Sequence, residues 1–142
     1  MKHVAAIVVL VAAAAASGQT PLKTADDARK ASESFLQKML GWNIDEAFAV
    51  MEEHSSMGEQ MTRQKAAFKS AQDTLKRDLG RGLSNELILE KTFRDALVMQ
   101  VYMSKYERAP LRWVFIYYRT ADGWVLNRLK FSGLSEEFFE DK

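Results

Sequence analysis

The chain is 142 residues long, 47% hydrophobic and 27% charged, with two prolines, no cysteine and a formal net charge of +1. That length suits one domain, and the charge balance removes the electrostatic basis for binding nucleic acid or an anionic membrane surface. The lack of cysteine excludes disulfides, iron–sulfur clusters, thiol nucleophiles and cysteine-ligated zinc.

The chain opens on Lys2 and His3, then thirteen uninterrupted apolar residues from Val4 to Ala16, then the small residues Ser17 and Gly18. A basic start, an apolar stretch of about 7–15 residues and small residues at the cut form a secretory signal. The apolar run is short of the roughly 20 residues that a permanent span requires. Cuts after Ala16 and after Gly18 both leave small residues in place, and the second is favoured. Residues 1–18 are therefore expected to be a signal peptide and residues 19–142 a single domain, periplasmic or secreted, without a membrane span. Loss of Lys2 with the leader leaves 19 basic and 19 acidic residues.

Residues 24–80 carry helical periodicity. Thr24 and Asp27 form a start resembling a capping box, after which Ala28, Ala31, Phe35 and Met39 make an apolar stripe that Gly41 ends. Asn43 with Glu46 opens a short second helix with Ile44, Ala47, Phe48 and Met51 inward. Residues Glu52 to Glu59 read as a loop. Thr62 begins a third helix with Gln64, Phe68, Ala71, Leu75 and Leu79 on one face, while Lys69, Asp73 and Arg77 are spaced to pair on another. Gly80 and Gly82 close it. That Gly-Arg-Gly follows a helix, whereas a phosphate loop precedes one.

Residues 84–132 read as four antiparallel strands. Asp122-Gly123 signals a two-residue hairpin, pairing Ala121 with Trp124 and Tyr118 with Asn127. The Glu107–Pro110 loop pairs Tyr106 with Leu111 and Met103 with Val114. A three-residue loop, Arg94-Asp95-Ala96, pairs Phe93 with Leu97, Lys91 with Met99 and Leu89 with Val101. These registers put Leu87, Leu89, Phe93, Leu97, Val101, Met103, Val114, Ile116, Leu129 and Phe131 on a face expected to meet the helices. The other face receives Tyr102, Tyr106, Trp113, Phe115 and Tyr117, interleaved with Arg128 and Lys130. So large an aromatic surface implies an interface, and a homodimer through the sheet is expected. Coverage by the C-terminal Phe138-Phe139 segment, or tolerance of single rings in water, remains open beside it.

Three helices followed by a curved four-stranded antiparallel sheet, an α+β arrangement, resembles the nuclear-transport-factor-2-like (cystatin-like) superfamily over most of residues 24–135. The most specific part is RWVFIYYRTADGWVLNRLKF, residues 112–131. Its aromatic strand, Asp-Gly-Trp turn and Trp-x-Leu-Asn strand are similar to the ends of small secreted bacterial members. The resemblance implies a cone enclosing a pocket and frequent dimerisation. It implies no particular activity, because this cone hosts isomerases, dehydratases, transport factors and inert domains.

Under these registers Lys91, Met99, Tyr118 and Asn127 form a polar row inside the cone. Lys91, Tyr118 and Asn127, with Trp42 at the rim, are candidate ligand-binding residues for a small molecule. The competing view is that Lys91 reaches water and the other two satisfy backbone groups. Catalytic members of the superfamily place an Asp or His acid/base in the cone. No predicted inner position here is Asp, Glu or His, so no catalytic residue is assigned. His54 lies among Met51, Met57 and Met61, ligands that suit Cu(I), but packing is the commoner use of methionine; no metal and no cofactor are expected. The resulting expectation is an exported, non-enzymatic domain binding a small amphipathic ligand or an envelope protein. The alternative is an isomerase- or lyase-like enzyme using the inner pocket.

Overall fold

A computed structural model describes residues 20–140. The leader, residues 1–18, and its expected cut after Gly18 lie outside the described residues. The order is helix α1 (Ala25–Leu40), α2 (Ile44–Glu52), α3 (Glu59–Leu79), strands β1 (Gly82–Phe93), β2 (Leu97–Tyr106), β3 (Pro110–Thr120) and β4 (Gly123–Ser132), and a 3₁₀ turn at Ser135–Glu140. The strands form one antiparallel sheet in the order β1-β2-β3-β4, with β1 and β4 at its edges. Three helices packed on such a sheet make an α+β fold. Among the described residues, no helix is long and apolar enough to cross a membrane.

The helices begin and end for local reasons. The Thr24 hydroxyl accepts from the Asp27 amide at 3.0 Å, a cap that contributes about 1 kcal/mol. At the other end of α1, Trp42 N–H donates to Met39 O at 3.0 Å and Asn43 N–H to Lys38 O at 2.9 Å. That pair is a Schellman closure, and its left-handed position, φ 64°, is held by Trp42 where glycine is usual. The Trp42 ring lies 5.8 Å from that of Tyr106 and 6.3 Å from that of Phe68, packing that opposes the backbone strain. Helix α3 starts at Glu59, three residues before the predicted Thr62, and Met61 in its first turn is buried. Lys69 pairs with Asp45 of α2, not with Asp73; it holds the Asp45 carboxyl below the usual carboxylate range.

The first hairpin has the predicted register, with Phe93 opposite Leu97, Lys91 opposite Met99 and Leu89 opposite Val101. Arg94 and Asp95 take positive φ in its loop. Between β2 and β3 the register slides by two residues: Val101 faces Val114 and Met103 faces Arg112. The loop is drawn toward the end of α3, where Glu107 N–H donates to Arg81 O and Arg108 N–H to Leu79 O. In the last hairpin Thr120 faces Gly123, so the turn residues are Ala121 and Asp122. A bulge then leaves Asn127 unpaired, and beyond it Phe115 faces Leu129 and Trp113 faces Phe131. This one-residue shift moves Leu129 and Phe131 onto the face of Trp113 and Phe115.

The two sheet faces are reversed relative to the sequence expectation. Tyr102, Tyr106, Trp113, Phe115 and Tyr117, expected at an interface, are buried in the core against the helices. Phe35 of α1 meets Phe48, Trp113 and Phe115 edge-on, with ring centres 5.2, 5.3 and 5.8 Å away. Phe68 of α3 stacks on Trp113 at 5.7 Å. Aromatic rings span the gap between helix and sheet that shorter aliphatics would leave incompletely filled. Two of their polar ends find partners, since the Tyr117 and Ser32 hydroxyls bond at 2.7 Å and Tyr102 donates to Glu33 at 3.1 Å, whereas Trp113 Nε1 is buried without one among the described residues. Arg29 and Glu90 close the same side by an ion pair.

The free edge of β4 is covered from Trp124 to Leu129, which blocks strand pairing with another chain over that stretch. Leu22 and Trp124 exchange two backbone bonds of 2.8 and 2.7 Å. The Leu126 amide donates to His54 O at 2.7 Å, and Ser56 N–H donates to Leu126 O at 2.9 Å. Further on, Gln64 Nε2 donates to Leu129 O at 2.8 Å. Gly123 is required by this arrangement: its φ is +140°, and a Cβ there would sit 2.4 Å from Leu22 O.

Candidate functional site

With the aromatics turned inward, strand alternation puts the aliphatic residues on the other face. Leu89, Leu97, Met99, Val101, Met103, Val114, Ile116 and Val125 make its centre, where Val101, Val114 and Val125 are buried and the other five are half-buried. Among the described residues no helix lies over it; the helices pack on the aromatic side. Phe93 and Tyr118 are 59% and 47% exposed at one end of this face.

Its border is strongly cationic. Among the described strand residues, Lys91, Lys105, Arg112, Arg128 and Lys130 share the face with one carboxylate, Glu86, which binds Lys105 at 3.0 Å. The same alternation that buries the rings directs these cations outward. The 3₁₀ turn folds back against β3, and its Glu137 borders a cleft with Arg112 and Lys130. That cleft, about 320 Å³, sits at the β4 edge and is also lined by Gln64, Val114, Leu129, Phe131 and Ser132.

The predicted ligand row does not assemble inside a cone. Lys91 and Tyr118 lie on the open sheet face, one pairing row apart, and both are exposed. Asn127 is the exposed extra residue of the β4 bulge. Trp42 lies on the opposite, helix-covered side, beside Phe68 and Tyr106, where it borders a surface cleft with Leu40, Lys76 and Gly80–Gly82. The four residues therefore do not share a cavity. The space between helices and sheet where the pocket was expected is occupied by Phe35, Phe48, Phe68, Trp113 and Phe115.

Buried polar groups follow the packing. Burial pushes the Tyr106 phenol up to about 12 and raises those of Tyr102 and Tyr117 further, with Glu33 adding to the effect at Tyr102. These phenols stay neutral as parts of the core. Gln100, fully buried on the same face, has no partner for either side-chain atom among the described residues. Of the two histidines in the sequence, His54 is the described one; its Nδ1 binds Thr20 O and pins the start of the described chain. Met51 and Met61 are buried in the core, so their thioethers serve packing beside it. Among the described residues no cluster of three His, Cys, Asp or Glu is placed to hold a metal ion.

Sequence reasoning missed the open face, although a signal for it was present. Lys91 falls in the predicted inner row, and strand alternation puts Lys105 on the face of Met103 and Arg112 on that of Val114; three cations on one sheet face argue for solvent. Gln64 was read only as part of a helix face and was not recognised as an edge cap.

No match for this chain is found among protein families, curated proteins or solved structures. Its function therefore rests on the geometry of its own residues.

Proposed function

We propose that the chain is an exported, non-enzymatic binding domain of the nuclear-transport-factor-2-like superfamily whose open sheet face docks another protein. Membership is supported by the order of three helices and a four-stranded antiparallel sheet, and export by the leader's composition. One observation carries the binding role: an aliphatic sheet centre is bordered by five cations and, among the described residues, two carboxylates, Glu86 and Glu137. An apolar centre with a charged rim is the anatomy of a protein interface. A small-ligand pocket would instead enclose its polar groups, and Lys91, Tyr118 and Asn127 are exposed.

The charge also selects the occupant. A second copy docked face to face would bring two cationic borders together, whereas an acid-rimmed partner complements them. Light scattering on the purified protein should therefore give a monomer. A photo-crosslinker at position 116 should form an adduct with an acidic protein, and one at position 69 on the far side should not. The paired changes Arg128→Glu and Lys130→Glu should abolish that adduct while leaving the circular dichroism spectrum unchanged. A stable dimer that Ile116→Glu dissociates would replace the acidic partner with a second copy. Absence of any adduct from position 116 would remove the docking role altogether.

A further inference from the structure

The cleft at the β4 edge has chemistry that the open face does not share. Gln64 reaches it from α3, and its Nε2 is committed to Leu129 O at 2.8 Å. That bond fixes the orientation of the amide, because a carbonyl accepts only. The companion Oε1 is buried and has no partner among the described residues. A fixed, desolvated acceptor favours a ligand that brings an N–H donor.

Two other features lie beside it. Since the Leu129 carbonyl points off the sheet edge to Gln64, strand alternation turns the N–H and C=O of Phe131 to that edge too. Phe131, Leu129 and Val114 supply apolar lining, while Lys130 and Arg112 bring positive charge and Glu137 one negative charge. Glu137 is engaged by the Ser132 hydroxyl at 3.1 Å. The volume of about 320 Å³ is at the small end of ligand sites, which run from roughly 300 to 1,000 Å³.

We propose that this cleft captures the carboxyl-terminal end of a peptide, about one or two residues long. The terminal carboxylate lies toward Lys130, a peptide N–H donates to Gln64 Oε1, and an apolar side chain rests on Leu129 and Phe131. The Phe131 edge groups pair with the peptide backbone, extending the sheet by a short strand. Each part of the ligand answers one feature of the cleft. A simple carboxylate would leave the Gln64 acceptor unmet, and a neutral amide would leave the cation unmatched. The site shares Arg112, Val114 and Lys130 with the docking face, but Gln64 and Phe131, which report its occupancy, lie outside that face.

The test is a nuclear magnetic resonance titration of the full chain with three probes: N-acetyl-alanyl-leucine, its carboxamide, and 4-methylpentanoate. The acid should shift the Gln64 side-chain amide and the Phe131 and Ser132 backbone signals. The carboxamide and 4-methylpentanoate should each bind about tenfold more weakly. Lys130→Glu should weaken the acid by about tenfold or more, while Lys105→Glu, on the same face but outside the cleft, should not. Equal binding of acid and carboxamide, insensitivity to Lys130→Glu, or no shift at these positions up to about 20 mM overturns the proposal. Gln64→Glu is a second check: it keeps an acceptor but adds a negative charge beside the carboxylate, so it should weaken the acid more than the carboxamide.

Discussion

At the scale of single residues, the core is decided by how rings are seated and polar atoms paired. Phe35 meets three other rings edge-on, contacts worth about 0.5–1.5 kcal/mol each beyond burial. Tyr117 and Tyr102 keep their hydroxyls bonded to Ser32 and Glu33, so their burial leaves no orphaned group. Trp113 Nε1 and Gln64 Oε1 are buried without a partner among the described residues, and Gln100 goes furthest, with both amide atoms buried and unpartnered. Replacing it with methionine keeps the shape and removes the desolvated amide. Gln100→Met should therefore raise unfolding stability by about 1 kcal/mol in urea denaturation. A loss of similar size would mean that the amide has a polar partner in solution.

At the scale of elements, the last hairpin and the strand edge are coupled. Gly123 combines a φ of +140° with an approach to Leu22 O that no Cβ permits. Gly123→Ala should push Leu22 away and break both bonds of the Leu22–Trp124 bridge, costing about 2–4 kcal/mol. Hydrogen exchange provides a specific readout. The amides of Leu22 and Trp124 should lose protection, while those of the first hairpin keep theirs. Retained protection at Leu22 would show that the bridge does not depend on the glycine. The α1 terminus is a related case: Trp42 holds a left-handed position because its ring is packed by Tyr106 and Phe68.

At the scale of the whole molecule, the buried phenols link folding to alkaline pH. Their folded pKa values lie above the ordinary value of 10, and that of Tyr106 is pushed up to about 12. A raised folded pKa gives stability that is fully present below pH 10. It is lost as pH rises, because the unfolded chain releases its protons first. The urea midpoint should thus be lower near pH 11 than near pH 9, and Tyr106→Phe should reduce that difference. Equal midpoints for the parent protein at the two pH values would contradict burial of these rings.

The sequence by itself determined the elements and much of their order. Capping at Thr24, the apolar stripe through Phe35 and the three-residue loop at Arg94–Ala96 are local, and local rules read them correctly. It also grouped Leu89, Leu97, Val101, Met103, Val114 and Ile116 on one face, but not the direction in which that face points, and it put Leu87, Leu129, Phe131, Arg128 and Lys130 on the wrong faces. Tertiary structure decided that direction. A bulge at Asn127 and a loop pulled toward Arg81 changed the registers, and the rings of Phe35 and Phe68 on the helices meet those of Trp113 and Phe115 in the interior. The same arrangement dispersed Lys91, Tyr118, Asn127 and Trp42 and brought Gln64 to the β4 edge. Periodicity fixes which residues share a face only up to the next bulge, as at Asn127. Which face is buried depends on the volume and polar partners that the opposing layer provides, and those come from residues distant in the chain.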